Sequence, residues 1–155
     1  FKGISFSMEI QFKIKRFKEL STVELYNLLQ LRSEVFVVEQ NCVYQDIDGK
    51  DEKALHVLGY YQGDLAAYAR LFNKGYYFDE TSIGRVVVSP KYRDKKFGHD
   101  LMKTAIEAIS KFYNEKEITI SAQEYLQKFY ESHGFVKISE MYLEDDIPHI
   151  RMRRN

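Results

Sequence analysis

The run Val86-Val87-Val88, cut off by Ser89-Pro90 and followed by a basic loop that empties into a helical pattern at Phe97, most narrows what this chain can fold into. Three consecutive β-branched residues read as a fully buried central strand, because a strand with one wet face would alternate. Pro90 cannot extend a ladder, so the strand ends there. From Phe97 to Tyr113 the residues Leu101, Ala105, Ala108, Ile109 and Phe112 return at helical spacing. A buried strand, a short polar loop and a long helix form a general device for holding phosphates, since the unpaired amides at the helix start and the helix dipole both favour negative charge. Lys91, Arg93, Lys95 and Lys96 add positive charge to the loop, and Gly98 allows a backbone to come close. The same features fit an ordinary βα connection with a solvated charge run, so alone they leave both readings open.

Around this segment the chain predicts one α/β unit. Residues 10–17 alternate apolar and polar, the period of a half-buried strand. Ser21-Thr22-Val23-Glu24 has the form of a capping box, and Leu25, Leu28, Leu29, Val35 and Phe36 share one helical face, so a helix is expected to about Glu39. Residues 41–53 are polar and acidic and read as a surface loop. Residues 55–61 and 65–72 form a hairpin around Gln62-Gly63-Asp64. Residues 118–121 give another short strand, and Leu126, Phe129, Tyr130 and His133 mark a helix stopped by Gly134. Residues 135–139 and 147–152 are the last two strands, the second preceded by an acidic turn, Glu144-Asp145-Asp146. The expected order is β-α-β-β-β-α-β-α-β-β, with no repeat, linker or low-complexity tract.

At 155 residues the length fits one domain, expected over residues 8–155, with residues 1–7 a remnant ahead of a native start at Met8. The 23 basic and 23 acidic side chains cancel, so no global field draws the chain to nucleic acid or an anionic membrane. No apolar run reaches the roughly 18 residues of a bilayer span. Cys42 stands alone and no His, Cys and carboxylate spacing suggests a metal site, so no metal and a reducing, cytoplasmic setting are expected.

The specific residues go further than the generic pattern. Val-x-Val-x-Pro-x-Tyr-Arg-x-x-x-x-Gly, from Val86 to Gly98, resembles the acetyl-CoA segment of the GNAT acetyltransferases. Downstream, Gln123, Leu126, Phe129-Tyr130 and Gly134-Phe135 are similar to the family's Asn-x-x-Ala-x-x-Leu-Tyr-x-x-x-Gly-Phe, with Gln123 in the Asn place and Leu126 in the Ala place. Upstream, Leu31-Arg32, Val35-Phe36-Val37-Val38-Glu39-Gln40, Tyr44-Gln45-Asp46, Asp48 and His56 resemble the ElaA-like branch. The likeness runs from about residue 20 to Arg151. It implies a single-domain GNAT-like α/β (α+β) fold: a mixed, mostly antiparallel sheet of about seven strands, flanked by helices and splayed between its central strands.

The resemblance also implies a site. The main chain of Val86, Val87 and Val88 would pair with the pantetheine arm of acetyl-CoA, and amides across Arg93, Asp94, Lys95, Lys96, Phe97, Gly98 and His99 would hold its diphosphate. Gln123 and Tyr130 complete the cofactor set. Lys96 stands where the family has its first glycine, so a residue with a Cβ must make the tight turn. Tyr130 matches the tyrosine that protonates the departing thiolate; periodicity alone favours a helix-packing residue, and the motif match favours the functional role. The acceptor amine must lose a proton before or as it attacks, and Glu39 is the first candidate to take it, with His56 second and His149 a possible border of the acceptor groove. Asp46, Asp48, Asp51 and Glu144, Asp145, Asp146 would favour a cationic acceptor if they border that groove, and are otherwise solvated loops. The terminal strands offer a pairing edge, which makes a homodimer the expected assembly. The rival functional reading is a catalytically idle CoA-binding sensor on the same fold. A dinucleotide-binding domain is disfavoured, because no Gly-x-Gly-x-x-Gly follows the strand.

Overall fold

Alternation in the first strand sets the sheet: β1 (Gln11–Arg16) half-buries one face and pairs antiparallel with β2 (Leu55–Tyr61). The computed structural model describes residues 9–155, so the expectations for residues 1–7 and Met8 lie outside the described residues. The Gln62-Gly63 turn, both residues at positive φ, returns β2 into β3 (Asp64–Phe72) as a tight hairpin. Next come β4 (Thr81–Val88) and, after α2 (Phe97–Tyr113), β5 (Ile118–Gln123). A short helix α3 (Gln127–Glu131) leads to β6 (Val136–Lys137), β7 (Tyr142–Glu144) and β8 (Ile147–Arg154). The order across the sheet is β1-β2-β3-β4-β5-β8-β6, and β7 also lies against β8. Among the described residues, only β4 and β5 run parallel.

Among the described residues the sheet has eight strands, one more than the element order from sequence. The extra one, β7, overlaps the expected acidic turn only at Glu144; Asp145 and Asp146, both at positive φ, form a turn that lets Tyr142–Glu144 fold back on Ile147–His149.

Helices cover both faces. Leu101, Met102, Ala105 and Ile109 of α2 pack on Val57, Ala67, Ala69, Leu71, Ile83 and Ile120. Leu28 and Leu31 of α1 (Thr22–Arg32) pack with Leu58, Tyr68 and Val87 on the opposite face. The expected capping box is present: Glu24 N–H donates to Ser21 Oγ at 3.0 Å, and Ser21 N–H to Glu24 Oε1 at 2.8 Å. Past Arg32 the helix continues to Glu39, but as a π-helix over Ser33–Glu39 and not as the α-helix expected; such widened turns occur most often near functional sites.

Gly59 shows how tightly β2 is packed. A Cβ there would lie 2.8 Å from Phe12 Cε1, 2.9 Å from Ile10 Cδ1 and 3.2 Å from Ala67 Cβ. Gly59→Val should therefore cost about 1–3 kcal/mol through overpacking, read as a lower melting midpoint in a thermal scan.

Two expectations need correction. Val86 and Val88 are half-buried, not fully buried, because the sheet opens beside them. Residues 41–53 run over the surface as expected, but not all of their carboxylates are solvated: Asp46 and Asp51 are buried, for the electrostatic reason given below.

Candidate functional site

A parallel pair that fails to stay paired creates the site. β4 and β5 are in register only at Thr81↔Ile118 and Ser82↔Thr119; beyond Ser82 the strands part. Main-chain groups of β4 that would face β5 there have no ladder partner across the gap. The cleft is walled by Ile83, Gly84, Arg85 and Val86 of β4 and by Ser121 and Gln123 of β5. Phe36 and Gln40 close one side, Glu144, Asp145, Ile147 and His149 another, and Tyr130 of α3 also reaches it.

A β-bulge shapes the wall. Arg85 has φ +50°, and the β3–β4 register shifts between Tyr68 and Arg70. One extra residue reverses the alternation, so that Ile83 and then Val86 and Val88 face α2 while Val87 faces α1.

At the far end of β4 the basic loop is a 3-10 turn, Pro90–Lys95, with Ser89 capping its start. Tyr92 donates a hydrogen bond to Asp64, and the rings of Tyr61, Tyr92 and Phe97 cluster, which pins the loop to the β2–β3 hairpin. Lys96 adopts the left-handed conformation (φ 60°, ψ 31°) just before α2. The backbone thus takes the shape a glycine would favour there, with a Cβ in place. As N-cap, Lys96 puts no side chain on the first amides of α2. Arg93, Asp94, Lys95, Lys96 and His99 are exposed, while Phe97 points into the core and offers only its main chain. A Cβ at Gly98 would touch the Phe129 ring at 3.4 Å, so the helix start sits directly on α3 and its motif.

The residues singled out for catalysis separate clearly. Tyr130 lies in the cleft, 6% exposed, packed edge-on to Phe129 and Phe135; among the described residues its hydroxyl has no hydrogen-bond partner. Burial pushes its phenol above the ordinary range, so it holds its proton at neutral pH.

Glu39 instead forms a bidentate pair with Arg93 at 2.6 and 2.7 Å. The Arg93 hydrogen bonds hold its carboxyl below the usual range, which weakens it as a proton acceptor and joins the π-helix to the basic loop. His56 is 0% exposed and does not line the cleft. Its Nε2 lies 2.9 Å from the Asp51 carbonyl and so carries the hydrogen; Nδ1 then accepts from Tyr68 at 2.6 Å. Burial lowers its pKa, and no ring nitrogen is left for substrate.

What the sequence reading missed is an interlocked set of three arginines and three aspartates. Arg32, 0% exposed, donates to Asp46 at 2.9 Å and to Asp51 at 2.7 Å. Arg70, 1% exposed, binds Asp48 at 2.8 and 2.9 Å and Asp51 at 3.0 Å. Arg85 reaches Asp46 at 2.7 Å, and Tyr44 donates to the same carboxylate. The acidic stretch is thus neutralised within the protein and is no free bait for a cation. Arginines inside the apolar strand runs Ala69-Arg70-Leu71 and Gly84-Arg85-Val86 were the available signal, because a buried guanidinium demands carboxylates. Among the described residues, no group of three or more His, Cys, Asp or Glu could hold a metal ion, and no helix is long and apolar enough to cross a membrane.

A β4–β5 pair that splays past Ser82, with a basic loop and helix start at its end, is the architecture of an acyltransferase fold, and the chain belongs to the acetyltransferase (GNAT) domain family, whose model matches residues 19–155. Within that family it is similar to the protein ElaA of Escherichia coli, at 47% identity over 138 residues, 88% of this chain and 90% of that protein. The crystal structure of E. coli ElaA matches with a TM-score of 0.88, over 95% of this chain and all of the other. An acyl-CoA N-acyltransferase from Pseudomonas aeruginosa matches with a TM-score of 0.89 at 44% identity, over 95% of this chain and 100% of its own.

Proposed function

We propose that the protein transfers an acetyl group from acetyl-CoA to an amine in a ternary complex. The observation that carries this is the unpaired stretch of β4 past Ser82, opposite β5, with Tyr130 in the same cleft. The main chain of Val86 and Val88, unpaired with β5, would hold an extended pantetheine arm as an added strand, with the Val88 carbonyl exchanging its contact from Arg93 Nε. The amides from Arg93 to His99, with Lys95 and Lys96 beside them, suit a diphosphate, and Gln123, which lines the cleft at the end of β5, would border the arm. Bound acetyl-CoA supplies an activated carbonyl. Holding it beside the acceptor is most of the catalysis, since positioning alone lowers the barrier substantially. As the new C–N bond forms and the C–S bond breaks, Tyr130 Oη gives its proton to sulfur. Such a reaction belongs in the cytoplasm, where a free Cys42 thiol is also at home.

The test is release of CoA thiol from acetyl-CoA across a panel of primary amines. Amine-dependent release is the expected result. Tight acetyl-CoA binding with no turnover on any amine would favour the idle-sensor reading instead.

A further inference from the structure

We propose that His149 takes the proton leaving the acceptor amine, with Glu144 holding the imidazolium that results; this rests on the acyl-transfer reading above. β8 places His149 directly opposite Gln123, at the splayed end of β5, and its side chain lines the cleft although only 7% exposed. Its Nδ1 lies 2.7 Å from the carbonyl oxygen of Ile147. A carbonyl only accepts, so Nδ1 carries the hydrogen and the neutral ring keeps its lone pair on Nε2.

Nε2 lies 3.4 Å from a carboxylate oxygen, Glu144 Oε2. A lone pair and a carboxylate gain nothing from each other; once Nε2 gains a proton, the same geometry is an ion pair. The carboxylate is itself fixed, because Ser121 Oγ, which is also bonded to the Tyr142 hydroxyl, lies 3.2 Å from Glu144 Oε1. The Tyr142 ring stacks on the imidazole with 23° between planes. The Ile147 carbonyl on Nδ1 fixes the tautomer, and a carboxylate beside Nε2 stabilises the imidazolium that forms.

The other two candidates lack it. Glu39 is taken up by Arg93, and both nitrogens of His56 are occupied.

The groups around the ring have consistent charge. Glu144 comes from β7 and Asp145 from the β7–β8 turn, while Ser121 and Gln123 of β5 are uncharged. Across the cleft, Arg70 and Arg85 are offset by Asp46, Asp48 and Asp51, and Tyr77, Tyr130 and Cys42 complete the wall.

The step balances. The amine nitrogen bonds to the carbonyl carbon and its proton passes to His149 Nε2; the C–S electron pair leaves on sulfur, which takes the proton of Tyr130.

The first test needs no knowledge of the acceptor. Long-range proton–nitrogen NMR of ring-labelled protein should show His149 as the Nδ1–H tautomer at neutral pH, and an Nε2–H tautomer would overturn the assignment. For any panel amine that is acetylated, His149→Gln should lower kcat about 100-fold and remove the ascending limb of the pH–rate profile. Glu144→Gln should retain that limb while slowing turnover by about tenfold. Acetyl-CoA affinity, measured by calorimetry, should change less than about threefold in either variant. An unaltered profile in His149→Gln refutes the role of His149 and leaves acyl transfer standing, whereas failure of the unsubstituted protein to bind acetyl-CoA strikes at the acyl-transfer reading itself.

Discussion

Replacing Asp51 by alanine is expected to destabilise the protein by about 3–5 kcal/mol, the usual cost of breaking a buried ion pair from one side. For a chain of this size that is a fall in melting midpoint of roughly 10 °C or more. Asp51 Oδ1 takes hydrogen bonds from both Arg32 and Arg70, and its carbonyl holds His56. Without the carboxylate, two guanidinium groups with almost no solvent contact lose a shared partner. A melting point within 2 °C or so of the unsubstituted protein would show that the network contributes little.

The same network sets an acid limit. Burial raises the pKa of Asp48, but hydrogen bonds and charge from Arg70 outweigh it and bring it to about 2; Asp51 is also held low, with burial outweighed by Arg32. A carboxyl whose folded pKa lies below its unfolded value contributes fully above that unfolded value, near 4. The contribution drains away as pH falls toward 2. Asp51→Ala should accordingly flatten the loss of stability as pH falls below about 4.

The second large effect is on turnover. Tyr130→Phe should lower kcat about 100-fold, within the usual range for removing a general acid, while KM for acetyl-CoA changes less than about threefold. The phenyl ring keeps its contacts with Phe129 and Phe135. Because the hydroxyl has no hydrogen-bond partner among the described residues, its loss should move stability by under about 1 kcal/mol. Steady-state kinetics and a thermal scan on one preparation check both halves. Equal kcat in the two proteins would remove Tyr130 from the chemistry.

Features set by neighbours in sequence were legible before any coordinates. The capping box at Ser21, the Gln62-Gly63 hairpin and the bounds of α2 each follow from a few adjacent residues. The splay of β4 from β5 was readable only through the family likeness, since periodicity does not say where a parallel pair stops pairing.

Other features depend on distant partners. Asp46, Asp48 and Asp51 look solvated in sequence because the arginines that neutralise them lie on α1, β3 and β4, between 14 and 39 residues away. Glu39 looked free because Arg93 stands 54 residues further on. The bulge at Arg85 left no glycine to announce a positive φ, and β7 is three residues long with aspartates in its turn. His149 reads as an ordinary strand histidine until the fold brings Glu144 to its Nε2.

The central claim is that this chain binds a CoA thioester along β4 and at the start of α2. Titration calorimetry of the folded protein with acetyl-CoA tests it most directly. A one-to-one complex with a micromolar or tighter dissociation constant, weakened at least tenfold when both Lys95 and Lys96 are replaced by glutamate, is the expected result. No heat of binding with acetyl-CoA or CoA, across neutral pH and low to moderate salt, would contradict it.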